Sequence, residues 1–353
     1  MKNIYTYIIG IVSSLLVLSL ISSCDVHEWP ETPETVSLHL KLNYDLDMTY
    51  WTHTYEKGKT TEVSKGPTYE NVQTYGTIRY IIRTYPVSKQ SASQNHTQEF
   101  VITRDIGGKS YDHEVTLDII PGDYNIMVWS DLTDNSDVEP YHNADNFYEI
   151  TLAGDEHKGN TDYRDAFRGT SSVKLIADVV DKPADTLCIA MERPLAKYEF
   201  ISTDLQKFIA QELEYLAKEA ATKGQTVPTK VDLENYRVVF AYSGYMPDTY
   251  NMSADKPVDS SLGVLFESKL GIMSDNEASL GFDYVFVNHG DSKVAIQIGL
   301  YDKNDRQVAL SDPITVPLMR SHHTILKGSF MTMDASGGIV INPDFDGNFN
   351  III

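Results

Sequence analysis

Short runs in which apolar and polar residues alternate restrict the fold of this chain more than any other feature. Residues 36–42, Val-Ser-Leu-His-Leu-Lys-Leu, show the pattern most clearly. A period of two places the apolar side chains on one face of a β-strand, and turn residues such as Pro121-Gly122-Asp123 separate the runs. The pattern predicts a mostly β protein of antiparallel sandwiches. Strands are predicted at 36–42, 77–85, 99–103, 113–119, 124–130, 147–152, 173–180, 187–191, 197–202, 236–242, 281–288, 293–301, 314–317, 323–332, 339–341 and 348–353.

One segment has helical spacing instead, and we predict a single amphipathic helix at residues 204–223. Thr203 and Gln206 fit a capping box at its start, and Gly224 is placed to end it. The opposite face is polar and mixed in charge, so the helix is expected to lie on a sheet. Its apolar stripe consists of Leu205, Phe208, Ile209, Leu213 and Leu216.

The chain is long enough for two domains, and we place their boundary near Pro183. The predicted organisation is a signal peptide at 1–23, a Pro-bearing tether at 24–35, an N-terminal β-sandwich domain at 36–182 and a C-terminal β-sandwich domain at 183–353 that carries the helix. The polar stretch 132–168 is expected to be a long surface loop with one strand.

The N-terminal segment predicts a lipoprotein. Lys2 precedes an apolar run that ends in Ile21-Ser22-Ser23-Cys24, which fits cleavage before Cys24 and acylation of its thiol by chains such as palmitate. A membrane-spanning helix is the alternative. It is disfavoured because acidic Asp25 and Glu28 follow where a basic flank is expected. Two or more acyl chains on Cys24 would hold the protein stably at a membrane.

Charge and cysteine content limit the partners and the cross-links. The net charge is −21, and cleavage before Cys24 leaves 28 basic against 50 acidic residues. Nucleic acid is therefore not an expected partner, because phosphates require a basic surface. Cys188 is the only other cysteine, so no disulfide framework is expected. Its apolar neighbourhood predicts a buried structural thiol.

We find no sequence motif for catalysis or for a cofactor. The acidic residues Asp131, Asp134, Asp137 and Glu139, and the segment 344–348, lack the ligand spacing of calcium loops, so solvated turns are expected and no metal site is predicted. His322 and His323 adjoin each other and would point to opposite faces of a strand. An enzyme is the weakest functional hypothesis.

The last residues are predicted to form a strand of unusual importance. Turn residues at 343–347 precede the run 348–353, whose apolar members are Phe349, Ile351, Ile352 and Ile353. Such a strand could pair within its own domain or add to the sheet of a neighbouring subunit, so these four residues form a possible strand-exchange segment.

Several phrases recur in a specific order along the chain. They are residues 121–124 leading into 127–130, residues 165–169, 191–200, 320–328, 337–338 and 342–347. In this order they resemble the Bacteroidota fimbrillin-like lipoproteins, in a branch near the minor fimbrial anchor subunits, and the resemblance extends over nearly the whole mature chain. It implies two transthyretin-like β-sandwich domains, display on the outer membrane and assembly with fimbrial subunits by strand exchange.

Two functional hypotheses follow from this resemblance and from the composition. Polymerising members of the family are trimmed after an early arginine, whereas no arginine precedes Arg79 here. This departure favours a fimbrial anchor or accessory subunit over a stalk subunit. The alternative is a glycan-binding surface lipoprotein of a polysaccharide-uptake system, with Trp51, Trp129 and the many tyrosines as candidate aromatic groups. An aromatic platform would need them on one face, whereas Trp129 lies in an alternating strand and is expected in the core.

Overall fold

The computed structural model describes residues 35–70, 76–87, 95–106, 111–133, 140–176 and 185–339. The signal peptide 1–23, Cys24, nearly all of the tether and the segment with Phe349, Ile351, Ile352 and Ile353 lie outside the described residues. The boundary at 182/183 lies outside them as well.

Twenty-two strands and one α-helix are formed by the described residues. In the first half the strands are β1 Val36–Tyr44, β2 Asp47–Glu56, β3 Lys59–Glu70, β4 Thr77–Pro86, β5 Gln98–Asp105, β6 His113–Ile119, β7 Gly122–Thr133, β8 His142–Asn143, β9 Ile150–Leu152 and β10 Ala166–Leu175. The second half contains β11 Asp185–Met191, β12 Leu195–Ser202, α1 Leu205–Lys223, β13 Tyr236–Tyr242, β14 Met246–Asn251, β15 Lys256–Ser261, β16 Leu265–Lys269, β17 Gly271–Ile272, β18 Ala278–Phe286, β19 Ser292–Asp302, β20 Gln307–Leu310, β21 Ile314–Leu318 and β22 His322–Gly328.

The first sandwich packs two sheets face to face. Sheet I has the order β11-β1-β6, and sheet II has the order β10-β7-β4-β5. Their core contains Leu38 and Leu40 from sheet I and Ile78 and Val128 from sheet II, all fully buried. The alternation that predicted β1 is thus the inward face of sheet I.

The second sandwich is larger and also carries the helix. Sheet III has the order β17-β18-β12-β22-β2-β3, and sheet IV has the order β16-β13-β19-β20, with β21 also paired to β19. Phe200, Phe240 and Leu326 lie in the core of this sandwich. Most strand pairs are antiparallel, so the predicted fold class of antiparallel sandwiches with one helix is confirmed.

A third core lies between the two sandwiches. It joins Ile81 and Trp129 of sheet II to Tyr284 and Phe286 of sheet III, together with Tyr250 from sheet V, whose order is β15-β14-β9-β8. Sheet II is therefore covered on both faces. This explains why β4 has an almost continuous apolar sequence, since strands buried on both sides need not alternate.

Strand pairing crosses the predicted domain boundary in both directions. After β1, the chain leaves the first sandwich, and β2 pairs in parallel with β22 of sheet III from Thr49↔His322 to Tyr55↔Gly328. β11 makes the reverse crossing and pairs in parallel with β1. The division at 182/183 stays a prediction, but hydrogen-bonded sheets are shared between the segments on either side of it.

The helix lies where the sequence predicted it, although its start is built differently. Asp204 occupies the N-cap position rather than Thr203, and no side chain caps the helix there. Asp204 accepts hydrogen bonds from Thr332 instead, so its carboxylate ties the helix start to the segment after β22. Gly224 ends the helix in the left-handed region at φ 64°, a conformation that glycine adopts without steric cost.

Two expectations about the first half are wrong. The stretch 132–168 is not merely a surface loop, because it contains β8, β9 and the start of β10 and buries Asp165. β2 and β3 were not predicted either, because they contain few aliphatic residues and their recurring residues are Thr and Tyr. Those residue types nevertheless favour strands, and this was the available signal.

The expectation that Cys188 is a buried structural thiol is also wrong. On β11 the side chain of Ile189 is buried in the first core, whereas Cys188 is exposed beside it. Successive side chains of a strand point to opposite faces, so an apolar neighbourhood in sequence does not bury every member.

Replacing Phe208 by Ala should destabilise the protein by about 3–5 kcal/mol, because the ring is buried in the second core against Tyr236. Urea unfolding with a shared slope would measure the loss. Gln211→Ala on the exposed face of the same helix is the control and should leave the midpoint nearly unchanged. Equal midpoints for Phe208→Ala and wild type would show that the stripe does not hold the helix in place.

Candidate functional site at the junction of the two sandwiches

Three of the phrases that carried the family resemblance meet at the junction between the first and second sandwiches. Residues 165–169 enter β10, residues 191–200 run from β11 into β12, and residues 320–328 form β22. Each phrase contributes a charged side chain to the junction although the surrounding strands are apolar. The junction is therefore the part of the molecule that these phrases specify.

The centre of the junction is a buried ion pair between Arg193 and Asp165. The Nε atom of Arg193 lies 2.9 Å from both carboxylate oxygens of Asp165, and both residues are almost completely buried. Burial raises the pKa of Asp165, although the charge of Arg193 opposes that shift. The guanidinium also lies 4.7 Å from the ring centroid of Phe167 and donates to the carbonyl oxygen of Asp47 at 3.2 Å. One side chain thus joins β10, the β11–β12 link and the start of β2.

A second charged group is centred on Asp255, in the turn between β14 and β15. Its carboxylate accepts hydrogen bonds from Tyr250 and Arg320, and it pairs with Arg168 at 3.4 Å and His289 at 2.6 Å. Burial alone would raise the pKa of Asp255. The hydrogen bond from Tyr250 and the charges of Arg320 and Arg168 outweigh it and lower the pKa to about 2. Asp255 is therefore ionised at neutral pH and connects β10 with the turn before β22.

A third group surrounds Asp283 on β18. Arg164 lies 3.0 Å and His157 2.6 Å from its carboxylate, and the hydroxyl of Tyr242 donates to it at 2.7 Å. The hydroxyl of Tyr198 donates in turn to Tyr242 at 3.1 Å. Burial opposes ionisation of Asp283, but Arg164 and His157 outweigh it and lower its pKa. The carboxylate is held charged inside the second sandwich, and the segment 157–164 is fixed to that sandwich.

A fourth group corrects the expectation that the acidic cluster at 131–139 is a solvated turn. Asp131 is buried and accepts hydrogen bonds from Arg79 at 2.7 and 2.9 Å and from the indole of Trp129 at 3.0 Å. Burial nevertheless raises its pKa. His142 is buried beside this pair, and burial lowers its pKa well below the usual value, which keeps the ring neutral. Asp134, Asp137 and Glu139 lie outside the described residues.

Trp51 and Trp129, the two tryptophans among the described residues, do not form a shared aromatic surface. Trp129 is fully buried in the third core, against Tyr250 and Phe286. Trp51 is half-buried on β2 in sheet III, where its ring contacts His53 and His322. Trp129 is therefore a core residue, as its alternating strand predicted, and it does not share a surface with Trp51.

The charged groups of the junction connect the two sandwiches and are not arranged as a reaction centre. Its carboxylates are satisfied by arginine, tyrosine or histidine. Within the described ranges, no three His, Cys, Asp or Glu side chains are grouped so that they could hold a metal ion. The same part of the chain has no helix long and apolar enough to cross a membrane. Sequence reasoning missed the junction. The available signal was charge in an apolar context, at Arg193 between β11 and β12 and at Lys197 within β12.

Comparison with known sequences identifies the family. Residues 32–353 match the profile of the family of unknown function DUF6562. The chain belongs to this family. No curated protein matches the DUF6562 chain. Its placement in a branch near the minor fimbrial anchor subunits stays a prediction.

Solved structures similar to the DUF6562 chain come from related bacteria. A candidate adhesin from Bacteroides ovatus has a TM-score of 0.41 at 11% identity and covers 82% of this chain and 80% of its own. The fimbrial anchor protein Mfa2 from Porphyromonas gingivalis has a TM-score of 0.39 at 12% identity, with coverages of 80% and 82%. A fimbrial assembly protein from Parabacteroides distasonis has a TM-score of 0.35 at 10% identity, with coverages of 84% and 92%.

Replacing Arg193 by Ala should cost about 3–5 kcal/mol of stability, because it leaves Asp165 charged, buried and unpaired. Chemical unfolding monitored by tryptophan fluorescence would measure this, since Trp129 lies in the adjoining third core. Replacing both partners, as Arg193→Met with Asp165→Leu, should recover most of the loss.

The matched control for Arg193→Ala is Arg237→Ala, which breaks a partly exposed pair with Glu267. That change should cost about 1 kcal/mol or less. Similar losses for the two arginine variants would show that the Arg193 pair has no special role in holding the sandwiches together.

Proposed function

We propose that this chain is a non-enzymatic cell-surface lipoprotein, anchored in the outer membrane through Cys24, that serves as an anchor or accessory subunit of a fimbrial fibre. A subunit in that position bears load between a lipid at one end and neighbouring subunits at the other. The feature that carries the proposal is the strand pairing that connects the two ends of the described chain.

The parallel pair of β2 and β22 provides this connection. The predicted tether precedes β1, and β2 follows directly after β1, so β2 belongs to the anchored end. β22 is the last described strand and lies between β2 and β12, both of which are parallel to it. The first and last parts of the described fold are thus hydrogen-bonded to each other at the centre of sheet III.

The orientation of this pair suits a mechanical role. Force applied at the N-terminal end of β2 and the C-terminal end of β22 pulls parallel neighbours past each other. Hydrogen bonds between strands cross the pulling direction, so the bonds from Thr49↔His322 to Tyr55↔Gly328 are loaded together rather than one at a time. The buried pair of Arg193 and Asp165 fixes the start of β2 beside this register.

A groove beside the end of the described chain supports a role for the last residues in assembly. The groove has a volume of about 1010 Å³ and is lined by Tyr55, Gln297, Leu310, Gly337 and Gly338, among other residues. The described chain ends next to this groove, at residue 339, and residues 340–353 follow in the sequence. Their apolar members Phe349, Ile351, Ile352 and Ile353 are proposed to act as a strand-exchange segment, which would pair its main chain with a neighbouring subunit.

Cys24 is expected to carry the lipid. Radiolabelled palmitate should enter the wild-type protein in cells, and Cys24→Ser should abolish the label and release the protein from the membrane fraction. Cys188→Ser is the control, because that thiol is exposed on β11 and should leave labelling unchanged. Equal labelling of Cys24→Ser and wild type would contradict the anchor.

Deleting residues 349–353 should separate assembly from folding. If the segment is a donor, the variant should melt cooperatively at the wild-type temperature and fail to join the surface fibre. The conservative variant with valine at positions 351–353 keeps strand propensity and should assemble. A destabilised deletion variant would assign the segment to its own fold, and a variant that melts and assembles like wild type would refute both roles.

A further inference from the structure

The edge strand β16 has an open side. Among the described residues β16 pairs only with β13, in a register that includes Phe240↔Phe266. The N–H of Tyr242 donates to the carbonyl oxygen of Val264 at 2.8 Å, which shows that Val264 directs its main chain towards β13. Main-chain groups of an antiparallel strand alternate in direction, so those of Leu265, Glu267 and Lys269 point away from β13, to the open side.

The other side of β13 confirms this alternation. The N–H of Ser243 donates to the carbonyl oxygen of Ala295 at 2.9 Å, so the odd-numbered residues of β13 face β19 and the even-numbered residues face β16. In the described part of the chain no backbone hydrogen bond reaches the open side of β16. Unpaired N–H and C=O groups in a row are a template for another strand.

A cleft of about 780 Å³ runs along this open side. One wall is formed by residues 261–267, and the facing wall is formed by residues 151–158 together with part of β14. At the floor, His157 packs against Phe266 with ring centroids 5.6 Å apart, and Gly159 lies so close to the Phe266 ring that a side chain there would collide with it. The cleft thus has a closed floor and an exposed row of main-chain groups on one wall.

The charges and apolar groups of the cleft specify what it can accept. Its lining carries the carboxylates Asp155, Glu156, Asp248 and Glu267 but only two cations, Lys158 and Arg164. Arg164 is already paired with the buried Asp283, and Glu267 is paired with Arg237. Asp155, Glu156 and Asp248 still outnumber the remaining cation, Lys158. Apolar side chains at the mouth are also exposed, with Leu262 at 41% and Leu265 at 52%. An occupant therefore needs basic and apolar side chains.

We propose that the open side of β16 binds an extended peptide segment of a partner protein in which basic and β-branched residues alternate. Main-chain hydrogen bonds to Leu265 and Glu267 hold the segment, its basic side chains meet the carboxylates of the cleft, and its apolar side chains cover Leu262 and Leu265. The chain's own residues 340–353 do not fit this description, because they contain Asp344 and Asp346 and no Lys or Arg. The proposal is independent of the fibre-subunit function.

The test uses the purified full-length protein and the capped peptide (Lys-Val)4 as probe, with residue-resolved hydrogen exchange. The peptide should bind and slow exchange of the Leu265 and Glu267 amides at least tenfold, while Phe266, already bonded to β13, changes little. A peptide with every backbone nitrogen methylated keeps its charges but cannot donate, and should bind at least about tenfold more weakly. The acidic peptide (Glu-Val)4 should bind at least as weakly.

Two protein variants separate the main-chain contribution from the charges. Leu265→Pro removes an outward N–H without touching the β13 ladder and should weaken (Lys-Val)4 binding about tenfold. Asp155→Asn with Glu156→Gln changes only exposed side chains, so it tests the charges even if the proline variant fails to fold. It should weaken binding several-fold and reduce its salt dependence.

Four results would overturn the proposal. These are no binding of (Lys-Val)4 at millimolar concentration, equal binding of the methylated peptide, binding without protection of Leu265 and Glu267, and tighter binding of a peptide with the sequence of residues 348–353. The last result would assign the cleft to the end of another copy of this chain.

Discussion

The buried ion pair of Arg193 and Asp165 is the interaction on which the rest of the architecture depends. It lies where β10, the β11–β12 link and the start of β2 meet, and Arg193 also bonds to the main chain of Asp47. β2 must leave the first sandwich at this point to reach sheet III. A charged pair with fixed geometry specifies that crossing more strictly than apolar packing would, because any other arrangement leaves a charge buried alone.

The third core, which the two sandwiches share, makes it energetically costly to separate them. Sheets II and III each have one face in their own sandwich and one face against the other, so neither sandwich has a complete solvent-facing surface at the junction. Separating the halves would expose Trp129, Tyr284 and Phe286 to water and would also break the parallel ladders of β2 and β11. The two sandwiches are therefore expected to unfold together, which suits a protein that transmits force.

Local patterns predicted local structure well, and long-range pairing could not be predicted from them. Alternation placed β1 and β7, and helical spacing placed α1 with its end at Gly224. The same rules assigned residues 132–168 to the surface and Cys188 to the core, because the sequence period does not say which face of a strand will be covered. The junction arginines Arg193 and Arg164 lie far from their carboxylates in sequence, so the charged site appeared in the sequence only as isolated charges.

The arginines are paired within the chain, and this affects the charge that the surface presents to a partner. All nine arginines lie among the described residues, and eight form ion pairs within the chain, while Arg104 bonds to the hydroxyl of Tyr80. The fold thus neutralises its strongest cations internally, and its outer surface is correspondingly poor in free arginine on a chain of net charge −21. Two copies of such a surface repel each other at close range. Close contact is therefore more favourable with a basic partner than with a second copy of the same surface.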